Sequence, residues 1–168
     1  MKRKTNSKHY ICESLLLLME TMEYQSITIS NIVYKAGVNR TTFYRHFYTK
    51  EDVLIYFIEN IMNHYLTKTN NIKIHHEYLY ILFSEFYNYK KELIIIHKHN
   101  LALLIATAFR NVFEVRLGWV DYKMNYHLGG IYNTTIQWIQ NGMKETPEEM
   151  TKIALSILPK NFKPYLLK

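Results

Sequence analysis

Residues 36–54 read AGVNRTTFYRHFYTKEDVL and contain two helix starts in close succession. Asn39 is a good N-cap for the first of these helices, and Thr49 with Asp52 three residues later forms a capping box for the second. Gly37, just before the first start, can adopt the positive φ that ends a preceding helix. The stretch therefore predicts a short helix joined to its neighbours by two tight turns.

The residues before this stretch predict two more helices. Thr28 is placed to cap a helix of about two turns that ends at Gly37. Before it, Asn6 or Ser7 can cap a first helix whose apolar residues recur at helical spacing. The inward positions are Ile11, Leu15, Leu18 and Met22 in the first helix and Ile29, Ile32 and Val33 in the second. The second and third of the three helices, joined by a tight turn that contains Gly37, are predicted to form a helix-turn-helix, whose second helix would enter the major groove of DNA.

The third helix has one apolar and one polar face. Phe43 and Phe47 are four residues apart, so we expect them to bury together, with Val38 stapled onto Phe43 from the turn. The side chains left facing solvent are Arg40, Thr41, Thr42, Tyr44, Arg45 and His46. A basic, hydroxyl-rich face of this kind matches the donors and acceptors that DNA presents.

Each outward side chain has a chemical role in DNA recognition. Arg40 can donate two parallel hydrogen bonds to a guanine edge, and Thr41 and Thr42 can contact a thymine methyl, a base or a phosphate. The longer side chains reach backbone phosphates, which set register without reading sequence. These are Tyr44, Arg45, His46 and Lys50. The helix N-termini at Thr28 and Lys50 add amide donors for a phosphate.

The positive charge is concentrated in the first 50 residues. They carry eight Lys or Arg against three acids, and so contribute +5 of the formal net charge of +7. Such an asymmetry indicates a polyanionic partner, with an ordinary solvated surface as the alternative. Lys2, Arg3 and Lys4 would form an arm along the DNA backbone or in a minor groove.

The rest of the chain also predicts helices, because its apolar spacing is helical and its 5 glycines and 3 prolines leave little scope for hairpins. We expect a fourth helix from Thr49, three helices between residues 77 and 119, and a long helix from about Asp121 to Gly142. A last helix is capped by Thr146, Pro147 and Glu149.

The sequence thus predicts an all-α protein in two parts. A three-helix DNA-binding head occupies residues 1–50, and a helical dimerisation and ligand domain occupies residues 51–168. One cysteine and the absence of a signal peptide or a long apolar segment favour a cytoplasmic protein without a membrane span.

Residues 28–54, TISNIVYKAGVNRTTFYRHFYTKEDVL, resemble the DNA-binding domain of the TetR family of transcriptional regulators. The matching positions are Ala36, Gly37, Val38, Tyr44, His46, Phe47, Lys50 and Glu51. The resemblance covers residues 7 to about 62. It implies a homodimer on a palindromic DNA operator, in most relatives a repressor, with phosphate contacts at Tyr44 and Lys50. It also implies base contacts at Arg40, Thr41, Thr42 and Arg45.

Residues 127–150 resemble the tail of a short branch of this family that includes dihydroxyacetone-kinase-regulator-like proteins. In the family, the last two helices pair with their copies as a four-helix bundle. Gly129 and Gly130 within a helix cost about 1 kcal/mol each relative to Ala, which close approach of a partner would explain. The predicted interface comprises Gly129, Gly130, Ile131, Thr135, Trp138, Ile139, Leu155 and Leu158, with an intramolecular core as the alternative.

Other functions find less support in the sequence. An aromatic stripe could line a pocket for a small-molecule effector, although such spacing is also typical of a core. Its candidate residues are Phe83, Phe86, Tyr87, Phe109 and Phe113. No catalytic motif or metal-ligand spacing is present, so we expect neither an enzyme nor a cofactor or metal. A TetR-like co-regulator that acts through a protein partner is the alternative function.

Overall fold

A computed structural model describes residues 7–70, 72, 74–116 and 122–158. All regular structure in these residues is helical, which confirms the all-α prediction. The helices are α1 (Ser7–Met19), α2 (Ile29–Ala36), α3 (Arg40–Tyr44), α4 (Lys50–Thr69), α5 (His75–Tyr87), α6 (Lys90–Lys98), α7 (Ala102–Arg110), α8 (Tyr122–Gln140) and α9 (Pro147–Ile157). A 3-10 turn (Tyr24–Ser26) precedes α2, and a π-helical turn (Asn111–Arg116) follows α7.

Helices α1, α2 and α3 form the head, in which α1 packs against both other helices. Ile11, Leu15 and Ile32 are fully buried in its core together with Phe43. Two predicted helix ends differ from the structure. α1 ends at Met19, so Met22 lies beyond it, and α3 is shorter than its apolar pattern because the chain turns after Tyr44.

Helix α4 connects the head to α5–α9, which we call the body. It packs against α1 of the head and against α5 and α7 of the body. Its buried face is apolar and includes Val53, Leu54, Phe57, Ile58 and Ile61. Since one helix serves both parts, the boundary between residues 50 and 51 stays a prediction.

Within the body, α5 packs against α9, and α6 packs against α8. The buried side chains of α5 and α8 include Phe83, Phe86 and Trp138. The side chain of Glu85, on α5, is 5% exposed, and its carboxylate pairs with the ammonium of Lys68 on α4. Burial of an unpaired carboxylate is energetically costly. The ammonium of Lys68 offsets that cost because it pairs directly with Glu85.

The turn between α8 and α9 follows the predicted capping residues. Gly142 has a φ of +79°, in the left-handed region that glycine adopts without strain. The hydroxyl of Thr146 accepts a hydrogen bond from the backbone N–H of Glu149, whose carboxylate accepts one from the N–H of Thr146. The capping box therefore forms as the sequence predicts.

The described residues contain neither a single helix that could span a membrane nor a group of side chains that could hold a metal ion. No single helix among them is long and apolar enough to cross a membrane; only α6 together with Ala102–Phe113, bent by 117°, meets those criteria as a pair. Across the same residues, no three His, Cys, Asp or Glu side chains lie in a group that could hold a metal ion.

Candidate nucleic-acid interface

The turn between α2 and α3 is set by one glycine and two caps. Gly37 has a φ of +64°, and Val38 N–H donates to the carbonyl of Val33 at 3.0 Å, which closes the end of α2. The Oδ1 of Asn39 accepts a hydrogen bond from Thr42 N–H at 2.7 Å and so begins α3. The helix-turn-helix predicted from these residues is therefore present.

Two phenylalanines hold α3 against the rest of the head. Phe43 and Phe47 are 0% and 4% exposed, and their ring centroids are 6.0 Å apart. Phe47 also meets the ring of Tyr56 on α4 edge-on at 5.6 Å. Although Phe47 follows the last residue of α3, it is buried as the sequence predicts. The inner side of α3 is thus fixed by aromatic packing, and its outer side is free.

The outer side of α3 is basic. Arg40, Thr41, Tyr44 and Arg45 are exposed, and Thr42 is half-buried. Neither arginine forms an ion pair with any residue that the structure describes. Since α3 itself has no acidic residue, both guanidinium groups are available to a polyanion.

His46 differs from the free, outward side chain that the sequence predicts. It is half-buried, and its Nε2 lies 2.8 Å from the hydroxyl oxygen of Ser7 at the start of α1. Burial, followed by the nearby charges of Arg45 and Lys8, lowers the pKa of His46 below its ordinary value. This histidine ties the end of α3 to α1, and at most its second ring nitrogen is available to a phosphate.

Lys50 also has internal partners that the sequence did not indicate. Its ammonium donates hydrogen bonds to the backbone carbonyls of Tyr24 at 2.8 Å and Ile27 at 2.7 Å. It lies 4.3 Å from the centroid of the Tyr24 ring, a cation–π distance. Two of its three protons are therefore used within the head, and the contacts favour a structural role over the expected phosphate contact.

The N-termini of α2 and α4 are occupied by their own side chains. The N–H of Thr28 donates to the Oδ1 of Asn31 at 2.8 Å. At α4, the carboxylate of Asp52 accepts from the N–H groups of Tyr48 and Thr49 at 2.9 and 2.8 Å. A carboxylate at a helix N-terminus interacts favourably with the helix dipole, so the amides and the field expected for a phosphate are already partly used.

Sequence reasoning did not assign two tyrosines of this region to the site. Tyr34 on α2 is 91% exposed, and Tyr48 in the turn before α4 is 85% exposed. Tyr34 belongs to the helix before α3 and Tyr48 follows α3 in the chain, so both are further candidates for contact with a partner of the basic face. For Tyr34, the available sequence signal was that it lies outside the apolar stripe formed by Ile29, Ile32 and Val33.

The residues expected at a dimer interface divide into two groups. Thr135, Trp138 and Ile139 are at most 2% exposed in the single chain. The Trp138 ring meets Phe83 edge-on at 5.6 Å, and its indole N–H donates to the Glu145 carbonyl at 3.2 Å. The chain's own core covers these three side chains, which favours the intramolecular alternative, and their place at a dimer interface stays a prediction.

The other predicted interface residues remain accessible. Gly129, Ile131, Leu155 and Leu158 are half-buried, and Gly130 is exposed. An added Cβ would meet nothing within 4 Å at either glycine, so no close backbone approach within the chain explains them. A groove of ≈ 540 Å³ runs between α5, α8 and α9, with Ile131, Leu158 and both glycines in its lining.

The aromatic stripe proposed for a pocket packs largely on itself. Phe86, Phe109 and Phe113 are at most 5% exposed, and Phe109 lies 5.8 Å from each of the other two ring centroids. Tyr87 is half-buried and stacks on Trp138 at 5.9 Å, while Phe83 also lines the groove described above. These contacts favour the core interpretation, and an effector pocket in the stripe stays a prediction.

The comparisons with known proteins agree with this geometry. Residues 18–57 match the family described as bacterial regulatory proteins of the tetR family, and residues 100–160 match a transcriptional regulator C-terminal region. The nucleoid occlusion factor SlmA of Colwellia psychrerythraea is 29% identical over 148 residues, covering 87% of this chain and 68% of that protein.

Two solved structures share the fold. The fatty acid degradation regulator FadR of Bacillus halodurans has a TM-score of 0.60 at 20% identity, covering 92% of this chain and 95% of that one. The dihydroxyacetone kinase operon activator DhaS has a TM-score of 0.54 at 18% identity, covering 89% and 92%. The basic face of α3, its aromatic support and the two family matches lead to one conclusion: the chain belongs to the TetR family of DNA-binding transcriptional regulators.

Proposed function

We propose that the protein is a cytoplasmic transcriptional repressor that binds a palindromic DNA operator as a homodimer. The observation that carries the proposal is the position of Arg40, exposed in the first turn of α3 and without an ion-pair partner among the described residues. A recognition helix contacts base edges through its N-terminal residues, and arginine is the usual partner of a guanine.

The neighbouring side chains divide into base and phosphate contacts. Thr41, exposed one residue after Arg40, is placed to contact a base or its methyl group. Tyr44 and Arg45, at the end of α3, lie on the same exposed side and are proposed to contact phosphates, with a base contact as the alternative for Arg45. Three residues predicted for this face have internal side-chain hydrogen bonds and are expected to contribute less, namely Thr28, His46 and Lys50, and Thr42 is half-buried.

Dimerisation is proposed through the groove between α8 and α9. Gly129 and Gly130 leave open space at the helix surface, and a second copy is what would use that space. Tyr126 and Ile157, which line the same groove, are 78% and 69% exposed in the single chain. Large exposed apolar side chains around a groove are typical of an interaction surface. A two-fold dimer of this kind would match a palindromic operator whose half-sites are one helical turn of DNA, or a multiple of it, apart.

Regulation by a small-molecule effector is part of the proposal. A ligand can bind one arrangement of the two heads more tightly than another. The resulting change in operator affinity is limited by the difference between the ligand's affinities for the two arrangements. Release of DNA on binding would make the effector an inducer of the repressed gene.

The test is a fluorescence anisotropy titration of the protein with the DNA that flanks its own gene, at two salt concentrations. We expect tight binding that survives excess random duplex and weakens steeply with salt, because phosphate contacts release counterions. Sedimentation at micromolar concentration should show a dimer. Weak binding that is equal for every duplex would overturn operator reading and favour a co-regulator that acts through a protein partner.

A further inference from the structure

A cleft of ≈ 580 Å³ opens between α1, α4 and α6, where the head meets the body. Its floor is apolar and includes Leu16, Phe57 and Ile61, which are all buried. The ring of Tyr89 meets Phe57 edge-on at 5.4 Å and extends this floor towards α6. The volume and the apolar floor are those of a small-molecule site.

The rim of the cleft is acidic although the chain as a whole is basic. The charged side chains in its lining are Glu13, Glu20, Glu92 and Lys91, apart from the histidines His9 and His64. Lys91 is paired with Glu20 at 2.7 Å. Glu13 on α1 and Glu92 on α6 form no ion pair with any described residue. Two carboxylates therefore face the cleft without a cation, in a chain of formal net charge +7.

A buried thiol lies where the apolar floor and the acidic rim meet. Cys12 is 5% exposed and lines the cleft, and it has no hydrogen-bond partner in the part of the chain that the structure describes. Burial first, and then the charges of Glu13 and Glu92, raise the pKa of Cys12 to about 12. Both carboxylates thus act on one point at the floor, where their negative fields add.

The two walls of the cleft are held together by contacts between α1 and the end of α6. The Nε2 of His99 lies 2.9 Å from the backbone carbonyl oxygen of Met19. Together with the pair between Lys91 and Glu20, this contact fixes α1 of the head against α6 of the body. The cleft is therefore a preformed space between two connected parts, and an occupant would contact both.

We propose that this cleft binds a small organic cation with an apolar or aromatic body. The body lies on Leu16, Phe57 and Ile61, and the cationic centre lies between Glu13 and Glu92. Charge complementarity selects this class of ligand, because an anion of the same shape would meet two carboxylates. Since these glutamates belong to the head and the body, the occupant would act on the relative position of the two parts; that regulatory consequence rests on the proposed function, whereas the binding does not.

The test uses two ions of nearly equal shape and opposite charge. Binding of tetraphenylphosphonium and of tetraphenylborate to the full chain is measured by isothermal titration calorimetry without DNA. We expect the cation to bind at least about tenfold more tightly than the anion, equivalent to about 1.4 kcal/mol. Because the titration contains no DNA, its outcome does not depend on whether the protein binds an operator. Failure of the proposed function would therefore leave the measured cation affinity unchanged.

A charge-matched pair of variants assigns the effect to the cleft. Glu13→Gln/Glu92→Gln should lower the affinity for the cation about tenfold. Glu77→Gln/Glu145→Gln, which removes the same charge elsewhere, should leave it unchanged. Equal affinity for the two ions, equal loss in both double variants, or no cation binding at about 1 mM would each overturn the proposal.

The single cysteine reports the location of the ligand. Alkylation of Cys12 by iodoacetamide, followed by mass spectrometry, should be slow in the free protein and several-fold slower with saturating tetraphenylphosphonium. The expected protection follows from the position of the thiol on the cleft floor. An unchanged alkylation rate with the cation bound would place the cation elsewhere and overturn the assignment.

Discussion

The ammonium of Lys50 lies 2.8 Å from the carbonyl oxygen of Tyr24 and 4.3 Å from the centroid of that tyrosine's ring. The Tyr24 hydroxyl in turn donates to the carboxylate of Glu51 at 2.7 Å. Two successive residues at the start of α4 therefore hold the same turn between α1 and α2. Hydrogen bonds from a charged donor are stronger than neutral ones, so this turn is firmly connected to α4.

Replacement of Lys50 by methionine should therefore lower the stability of the protein. Methionine keeps most of the aliphatic stem but loses the charge-assisted hydrogen bonds, and we expect a loss of about 1–3 kcal/mol in the free energy of unfolding. The measurement is chemical denaturation followed by circular dichroism. Lys35→Met, at an exposed lysine on α2, is the control and should have little effect.

The same variant decides between the two roles of Lys50. If the internal contacts dominate, the folded variant keeps the salt dependence of DNA binding. A phosphate contact, as the sequence predicts, would flatten the slope of log affinity against log salt by about one unit. The flattened slope, with unchanged stability, would contradict the structural role.

Replacement of Arg40 by alanine should impair DNA binding without affecting stability. The side chain is exposed and makes no ion pair among the described residues, so its loss costs the fold little. We expect a loss of about 1–3 kcal/mol in binding free energy, confined to one base-pair position of each half-site. The measurement is anisotropy with operators substituted at single positions. An equal loss for every operator would show that Arg40 contacts phosphate.

The glycine pair on α8 offers a test in which the sign of the effect is informative. In an isolated helix, Gly129→Ala and Gly130→Ala should each stabilise by up to about 1 kcal/mol, because alanine has the higher helix propensity. The structure leaves space for both methyl groups within the chain. If a second copy uses that space, the double variant should dissociate more readily while its monomer becomes more stable.

Sedimentation equilibrium measures the first effect and denaturation at low protein concentration measures the second. Ser156→Ala, at an exposed position of α9, is the control and should leave the dimer intact. A double variant that dimerises as tightly as the parent would remove these glycines from the interface.

His46 should make stability depend on pH. Its pKa in the folded protein lies below the ordinary value of 6.5, so the unfolded chain binds more protons in the interval between the two values. Stability therefore rises with pH through that interval, is fully present above 6.5 and falls as the pH is lowered. His46→Gln should lose this part of the pH dependence, as measured by denaturation between pH 5 and pH 7. A parallel profile for the variant would show that His46 does not contribute.

The helices and their ends could be predicted from the sequence because their signals are local. Thr28, Asn39, Thr49 and Thr146 each cap a helix through a side chain that bonds within three residues. The buried pair Phe43 and Phe47 could likewise be predicted, because the two residues are four positions apart, a helical spacing. Such features follow from neighbouring residues, whatever the rest of the chain does.

The partners of the site residues could not be predicted in this way. Ser7 and His46 are 39 residues apart in sequence, and Lys50 is 26 residues from Tyr24. The sequence pattern predicts that a long polar side chain such as that of Lys50 is exposed. In the folded protein its ammonium instead donates hydrogen bonds to a turn that is distant in the sequence. Trp138 shows the same limit for an apolar residue, since helical spacing does not say whether its own chain or a second copy covers it.

The sequence by itself determined the all-α class, the order and caps of the helices, and the basic outer face of the recognition helix. Tertiary structure alone decided which of those polar side chains are free, that Trp138 belongs to the core, and that an acidic cleft lies between α1, α4 and α6. The physical reason is range: capping and periodicity act over one helical turn, whereas burial, ion pairing and clefts depend on segments that meet only when the chain folds.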